Sequence, residues 1–276
     1  MIDHLVSELL RNRAHLPIHE ESRLKEAIYQ LVHLRRRHRF ESPSDSGSTF
    51  SSEAVFGTVT RREPGWVHRP APEREAPVFV RNGLHLSVGL ELVQRDGSLR
   101  LPAVRDRYTP GFAALLSEND PPRTGTRIYL AITEEHVHTV GRILASRLPA
   151  VSSGHVVKVL AERGEYPRPD SFTIFLANSD RDPALRMIAD CEFDRYTDRS
   201  CRRSLFAEAG PGGSAWMEGA AGVSAGESRA ACAATALHAH PDVDEATLRE
   251  ALRSEFSRRG FDPDHPHLLL RARRRG

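Results

Sequence analysis

Cysteine is scarce in this sequence, and lysine is scarcer. The three cysteines, Cys191, Cys201 and Cys232, form no CxxC pair and leave an odd residue over. They indicate neither a disulfide framework nor a zinc site. No apolar run approaches the roughly 18 residues that a membrane span requires. The opening stretch MIDHLVSELLRNRAH mixes acidic and basic residues into its apolar pattern, so it reads as an amphipathic helix and not a signal peptide. The expected location is the cytoplasm, with no membrane association. Of 39 basic residues, all but Lys25 and Lys158 are arginine. A lysine kept in such a background raises the question of whether its position needs an amine that can lose its proton, which arginine cannot supply. The net charge is +2. The run Arg35-Arg36-Arg37-His38-Arg39 has no interleaved aromatics, so it reads as a solvated helix end and not a nucleic-acid site.

What is present predicts an α+β fold. Ile2, Leu5, Val6, Leu9 and Leu10 mark an apolar stripe on a helix over 2–15, and Leu24, Ile28, Leu31 and Val32 mark a second over 20–39. The segment 41–53 is Ser-rich and reads as a linker, so residues 1–53 form a helical segment with its linker and 54–276 a further domain. Between about 55 and 102 short strands are expected. Asn82-Gly83 between alternating apolar residues signals a hairpin, and Asp96-Gly97 marks a second turn. A mixed sheet with flanking helices should follow, with strands at 126–132, 155–160 and 171–177. Helices are expected over Glu134–Arg147, from Pro183 through Ile188, and over Glu245–Arg259. The stretch 195–225 reads as a long Gly-, Ser- and Arg-rich loop. Ser224 and Glu227 have capping-box spacing and open a helix through Leu237. The tail from Phe261 reads as extended, with frayed last residues.

Several candidate motifs fail on inspection. AGPGGSAW at 209–216 lacks the preceding strand and the Lys-Ser/Thr of a phosphate loop. Gly226-Glu227-Ser228-Arg229-Ala230 lacks the final glycine of a nucleophile elbow. The fourteen histidines are scattered without metal-ligand spacing, and kinase signatures are missing. No metal and no cofactor is expected.

Read in order, a set of short segments resembles the HopA-type effector family. Glu63-Pro64-Gly65-Trp66 is similar to its early Pro-Gly-Trp segment, and Tyr108-Thr109-Pro110-Gly111-Phe112 to its Ser-Pro-Gly-Phe motif. Arg127-Ile128-Tyr129 resembles its Arg-Val-Tyr strand, followed by a turn at Thr133-Glu134. Val157-Lys158-Val159-Leu160 resembles its Leu-Lys-Val-Leu strand. Arg168 and Asp170 match an Arg-x-Asp, Gly226-Glu227-Ser228 a Gly-Glu-Ser, and Gly260-Phe261-Asp262-Pro263 a Gly-Leu-Asp-Pro. The resemblance spans roughly residues 63–270. It implies the family's fold. In the branch tied to lanthipeptide and thioamitide biosynthesis, it implies a phosphoserine/phosphothreonine lyase for ribosomally made, modified peptides. A small aminoglycoside-phosphotransferase-like kinase would phosphorylate a precursor peptide, and the lyase would remove phosphate to leave dehydroalanine or dehydrobutyrine. The sequence departs from the family where Arg229-Ala230-Ala231-Cys232 replaces Phe-Gly and a His-Arg pair. A degenerate module that binds the precursor or the kinase is therefore the alternative, with an effector acting on a host protein as a third reading.

Eliminating phosphate requires a base for the weakly acidic α-proton, cations for the phosphate, and stabilisation of the charge growing on the peptide carbonyl. A lysine desolvated beside other cations has its pKa lowered and can act as the base. Lys158, mid-strand and matched to the family, is the candidate; alternatively its stem packs along a solvated sheet face. Arg127 and Arg168 are candidate phosphate clamps, since a guanidinium binds two oxygens at once. Arg168 has a second reading as the ion-pair partner of Asp170. Glu227, Ser228 and Arg229 are candidates for phosphate or peptide binding, Ser228 from the first turn of a helix. Tyr108 and His238 are candidate acids.

Overall fold

The computed structural model describes residues 1–36, 48–70, 76–122, 124–201, 203–220 and 222–270. The expectations for 37–39, for 41–47 of the linker and for the final six residues lie outside these. Helix α1 (Ile2–Asn12) buries Ile2, Leu5, Val6 and Leu9, the stripe read from the sequence. Helix α2 (Glu21–Ile28) is shorter than predicted: it passes at Tyr29–His33 into a π-helical turn. The end of the Ser-rich stretch is not linker but helix α3 (Ser52–Phe56), because Ser51 Oγ accepts from the Ala54 N–H at 3.1 Å and caps it.

Strands β1 (Thr60–Glu63), β2 (Val67–Arg69), β3 (Val78–Arg81), β4 (Leu84–Ser87) and β5 (Leu99–Pro102) make two small antiparallel sheets, β1–β5 and β2–β3–β4. Asn82 and Gly83 both take positive φ, 51° and 81°, the conformation that a two-residue hairpin turn between β3 and β4 demands.

The central sheet comprises β6 (Val104–Thr109), β7 (Phe112–Leu116), β8 (Thr124–Leu130), β9 (Val156–Leu160), β10 (Phe172–Leu176), β11 (Glu208–Ala209) and β12 (Ser214–Ala220), in the order β11-β12-β8-β10-β9-β7-β6. Its pairings are antiparallel, not mixed as expected. Helix α4 (Val137–Arg147) does return the chain parallel to β8, but β9 lands one strand away. β10 then fills the gap running the other way. The expected loop at 195–225 contains β11 and β12, joined through Gly212 and Gly213 at φ 61° and 73°. The strand was hidden because glycine and serine surround its apolar residues.

One face of this sheet carries Ile128, Leu130, Val157, Val159, Phe172 and Ile174 into an apolar core under α4 and α5 (Arg181–Asp190). Part of the other face, with Tyr129, Ala215 and Met217, packs beneath α1, α2, α6 (Ala225–Ala239) and α7 (Glu245–Arg258). The N-terminal and C-terminal helices thus share one core, and the uncovered part of that face is where polar side chains collect. Among the described residues, no helix is long and apolar enough to cross a membrane.

Candidate active site

Alternation along a strand puts every second side chain on one face. Arg127 and Tyr129 of β8, Thr173 and Phe175 of β10, and Val156 and Lys158 of β9 share the face opposite the α4–α5 core. In register, Arg127 lies beside Phe175, while Thr173 lies between Tyr129 and Lys158. These residues line a cleft of about 580 Å³, together with Tyr108, Thr109, Pro110 and Phe112 around the β6–β7 turn, Tyr29 and His33 of the π-turn, and Ser224, Ala225 and Glu227 at the start of α6. A larger, more open depression of about 680 Å³ beside the α1–α2 connection holds no comparable group of convergent side chains.

Lys158 is half-buried, with Nζ 4.6 Å from the Phe112 ring centroid and 5.9 Å from that of Phe175. Burial pushes its pKa down. Asp170 opposes the shift, and the Arg127 and Arg168 charges add to it. No carboxylate among the described residues forms an ion pair with its ammonium. A lysine desolvated near two guanidinium groups loses its proton more readily than one in water, while the ring faces, which attract the ammonium, act the other way.

Arg127 is 7% exposed. Its Nη2 donates to the Val223 carbonyl at 2.6 Å, and its guanidinium carbon lies 5.3 Å from the Phe175 centroid. Gly219 of β12 makes room for it, since a Cβ there would meet Arg127 Nη1 at 1.5 Å.

Arg168 does not line the cleft as a phosphate clamp would. Its Nε and Nη2 donate to the two Asp170 carboxylate oxygens, each at 2.8 Å, and Nη1 lies 3.6 Å from Glu165. A buried guanidinium in a carboxylate fork has its charge answered, so the ion-pair reading is the one the geometry gives. Asp170 instead reaches the cleft wall. Burial alone would raise its pKa; the Arg168 charge and hydrogen bonds, with His33, outweigh that and hold it below the ordinary carboxylate value. Lys158 and Arg168 still meet over one ring, since the Arg168 guanidinium carbon is 5.3 Å from the Phe112 centroid.

The π-turn brings in two residues that the sequence reading passed over. The His33 ring lies 5.1 Å from that of Tyr29 and 5.4 Å from that of Tyr129, with Nδ1 2.9 Å from Ser204 Oγ. Burial, more than the nearby arginines, lowers its pKa to about 4 against the pull of Asp170, so it is neutral near pH 7. Tyr129 is pushed up to about 12 by burial, and burial with Asp170 raises Tyr29 further. A signal existed, an aromatic and a histidine four apart on one helix face. Tyr129 lay inside a matched segment but was not singled out.

Other sequence candidates scatter. Tyr108 stands at the lip of the cleft, 44% exposed. Glu227 reaches the cleft; its N–H donates to Ser224 Oγ at 3.3 Å, and its carboxylate lies 3.9 Å from Lys25 Nζ. Ser228 turns back to donate to the Ser224 carbonyl at 2.7 Å. Arg229 is fully buried and serves as an internal brace. It donates to the carbonyls of Pro266, Ala225 and Glu218, which leaves its guanidinium out of reach of a ligand in the cleft. His238 lies away from the cleft, at the far end of α6, with Nδ1 2.7 Å from the Ile18 carbonyl oxygen.

Two solved structures are similar in part. The effector protein from Pseudomonas syringae pv. tomato strain DC3000 is 17% identical with a TM-score of 0.47, covering 57% of this chain and 62% of its own. The effector protein from Pseudomonas syringae pv. syringae strain 61 is 14% identical with a TM-score of 0.45, covering 58% of this chain and 63% of its own. This chain therefore spans less than two thirds of either. No curated protein matches it. The model of the HopA1 effector protein family matches residues 103–268, more than half the chain and all seven strands of the central sheet, and the chain belongs to that family.

Proposed function

We propose that the cleft eliminates phosphate from phosphoserine or phosphothreonine in a peptide, with Lys158 as the base. The observation that carries this reading is Lys158 itself, a lysine with a lowered pKa inside a cleft and flanked by Phe112 and Phe175. In the elimination, neutral Lys158 Nζ takes the α-proton. The electron pair left on the α-carbon becomes the Cα=Cβ bond, and the Cβ–O bond breaks to release phosphate. Arg127 and the N-terminus of α6 supply positive potential on the same cleft wall. Arg168 acts on the field around the base from behind the cleft wall, through its pairing with Asp170. The reading carries with it a separate kinase to install the phosphate and a precursor peptide to present it.

The test is mass spectrometry of a phosphorylated Ser/Thr peptide incubated with the protein, following loss of about 98 Da per site, the mass of phosphoric acid. Lys158→Arg keeps the charge but cannot act as a base, so elimination should stop while phosphopeptide binding persists. The wild-type rate should rise with pH as Lys158 deprotonates and level off below pH 10.5, the ordinary value for lysine. An Arg variant that eliminates at the wild-type rate removes Lys158 as the base. A second reading, a binding module of the same fold, is favoured by a specific observation: the position after Gly226-Glu227-Ser228 holds a buried structural arginine, and the cleft histidine, His33, stays neutral. Wild-type protein that binds the phosphopeptide without eliminating would select it.

A further inference from the structure

The family match begins at residue 103, yet the cleft is completed by a side chain from far upstream. Tyr29 lies at the junction of α2 and the π-helical turn Tyr29–His33. A π-turn inserts one residue into a helix and re-aims the side chains beyond it, and such turns concentrate at functional sites. In this chain Tyr29 and His33 both reach the cleft, their rings 5.1 Å apart.

The Tyr29 phenol has no hydrogen-bond partner among the described residues, unlike Tyr166, whose hydroxyl donates to the Leu160 carbonyl at 2.8 Å. The residue is half-buried and lines the cleft. Burial first, and then Asp170, raise its pKa well above the ordinary value, which keeps the proton in place for donation. Its surroundings decide what it can meet. Along β10 and the residues before it, Phe175 lies beside Arg127, Thr173 beside Lys158, and Asp170 beyond them. The Tyr29 phenol feels the Asp170 carboxylate first and then the Arg168 guanidinium paired with it, so the charges at that end largely cancel and offer a phosphate dianion no free cation. A neutral carbonyl oxygen, which gains charge only as the reaction proceeds, suits that end of the cleft. The phosphate suits the Arg127 end.

We propose that Tyr29 is a catalytic residue, its phenol donating a hydrogen bond to the carbonyl oxygen of the residue that loses its α-proton. The inference rests on the lyase reading above. As Lys158 takes the α-proton, the electron pair delocalises onto that oxygen; Tyr29 keeps its own proton throughout, and the pair returns to form the Cα=Cβ bond as phosphate leaves. A donor aimed at charge that develops in the transition state acts on the rate more than on ground-state binding.

The experiment uses the full chain and its Tyr29→Phe variant, which keeps the ring packed on His33 and removes only the hydroxyl. Elimination from one phosphothreonine peptide is followed by mass spectrometry, peptide binding by calorimetry, and integrity by thermal unfolding. The expected result is a rate lower by on the order of 10²-fold, as for loss of one oxyanion donor, with binding within about threefold and an unchanged melting temperature. Tyr29→Trp, which restores a ring and an N–H displaced from the phenol's position, should not recover the rate. Wild-type elimination with Tyr29→Phe equally fast overturns the role of Tyr29 and leaves the lyase reading standing. A rate loss matched by an equal loss of binding or of melting temperature also overturns it, since a packing role would produce that. Wild-type protein that eliminates nothing overturns both.

Discussion

His33 enters the folded protein uncharged, because burial lowers its pKa from 6.5 to about 4. Below pH 6.5 the unfolded chain takes up a proton that the folded chain refuses, so protons pull the equilibrium toward unfolding. The stability tied to His33 is complete above pH 6.5 and is lost as the pH falls toward 4, by about 3 kcal/mol over the whole interval. His155 and His267 also have lowered values, with burial as the leading cause, and add loss of the same sign. Comparison with His33→Gln isolates the His33 share, since glutamine stays neutral and can still bond Ser204. Urea unfolding at pH 7.5 and pH 4.5 should show a smaller drop for the variant, and parallel drops would mean that His33 is not the group responsible. Lys158, which lines the cleft, stood out in the sequence because it breaks the arginine habit of the chain. Arg168 was ambiguous, and the spacing to Asp170 held the answer: two residues apart at the approach to β10, the pair closes into a fork.

Strand β12 forms the wall against which Arg127 lies, and its Gly219 is the point of closest approach. A methyl group there would lie 1.5 Å from Arg127 Nη1 and 3.2 Å from the Ala225 Cβ. The arginine end is a side chain and can swing away, so Gly219→Ala should displace the guanidinium at a stability cost of about 1 kcal/mol. Phosphopeptide affinity should then fall about tenfold, the effect of misplacing one charged donor. A calorimetric titration that finds wild-type affinity would detach Arg127 from phosphate binding. None of this could be read from the sequence, where the same residues looked like an extended loop. Alternation is weak in Ser214–Ala220 because alanine and glycine occupy three of its seven positions, and its place in the sheet comes from pairing with β8, almost a hundred residues earlier. The β3–β4 hairpin was legible for the opposite reason, since Asn82-Gly83 encodes its turn locally. The π-turn was illegible because apolar spacing continues through it. Leu31 and Val32 stay buried, while the extra residue per turn redirects Tyr29 and His33.

The family-matched region begins at residue 103, but the core does not respect that boundary. Leu5, Val6 and Leu9 of α1, with Leu24, Ile28 and Val32 of the second helical stretch, are at most 1% exposed. They pack in one cluster with Ala230, Ala233, Leu237, Leu248, Leu252 and Phe256 of α6 and α7. Each such side chain contributes roughly 1.5–3 kcal/mol when fully buried, an upper estimate because unfolded chains are partly compact. Six of them match or exceed the roughly 5–15 kcal/mol that holds an ordinary domain together. Removal would also bare the apolar sides of α6 and α7 and take Tyr29 and His33 from the cleft. A chain beginning at residue 37 is therefore expected to lose cooperative thermal unfolding and to aggregate. Circular dichroism melting and size-exclusion chromatography, run beside the full chain, give the answer. A truncated protein that melts in one sharp transition at the full-length temperature would show that the matched region folds alone. The N-terminal helices would then be an attached layer, and the cleft would have to be completed by something other than Tyr29.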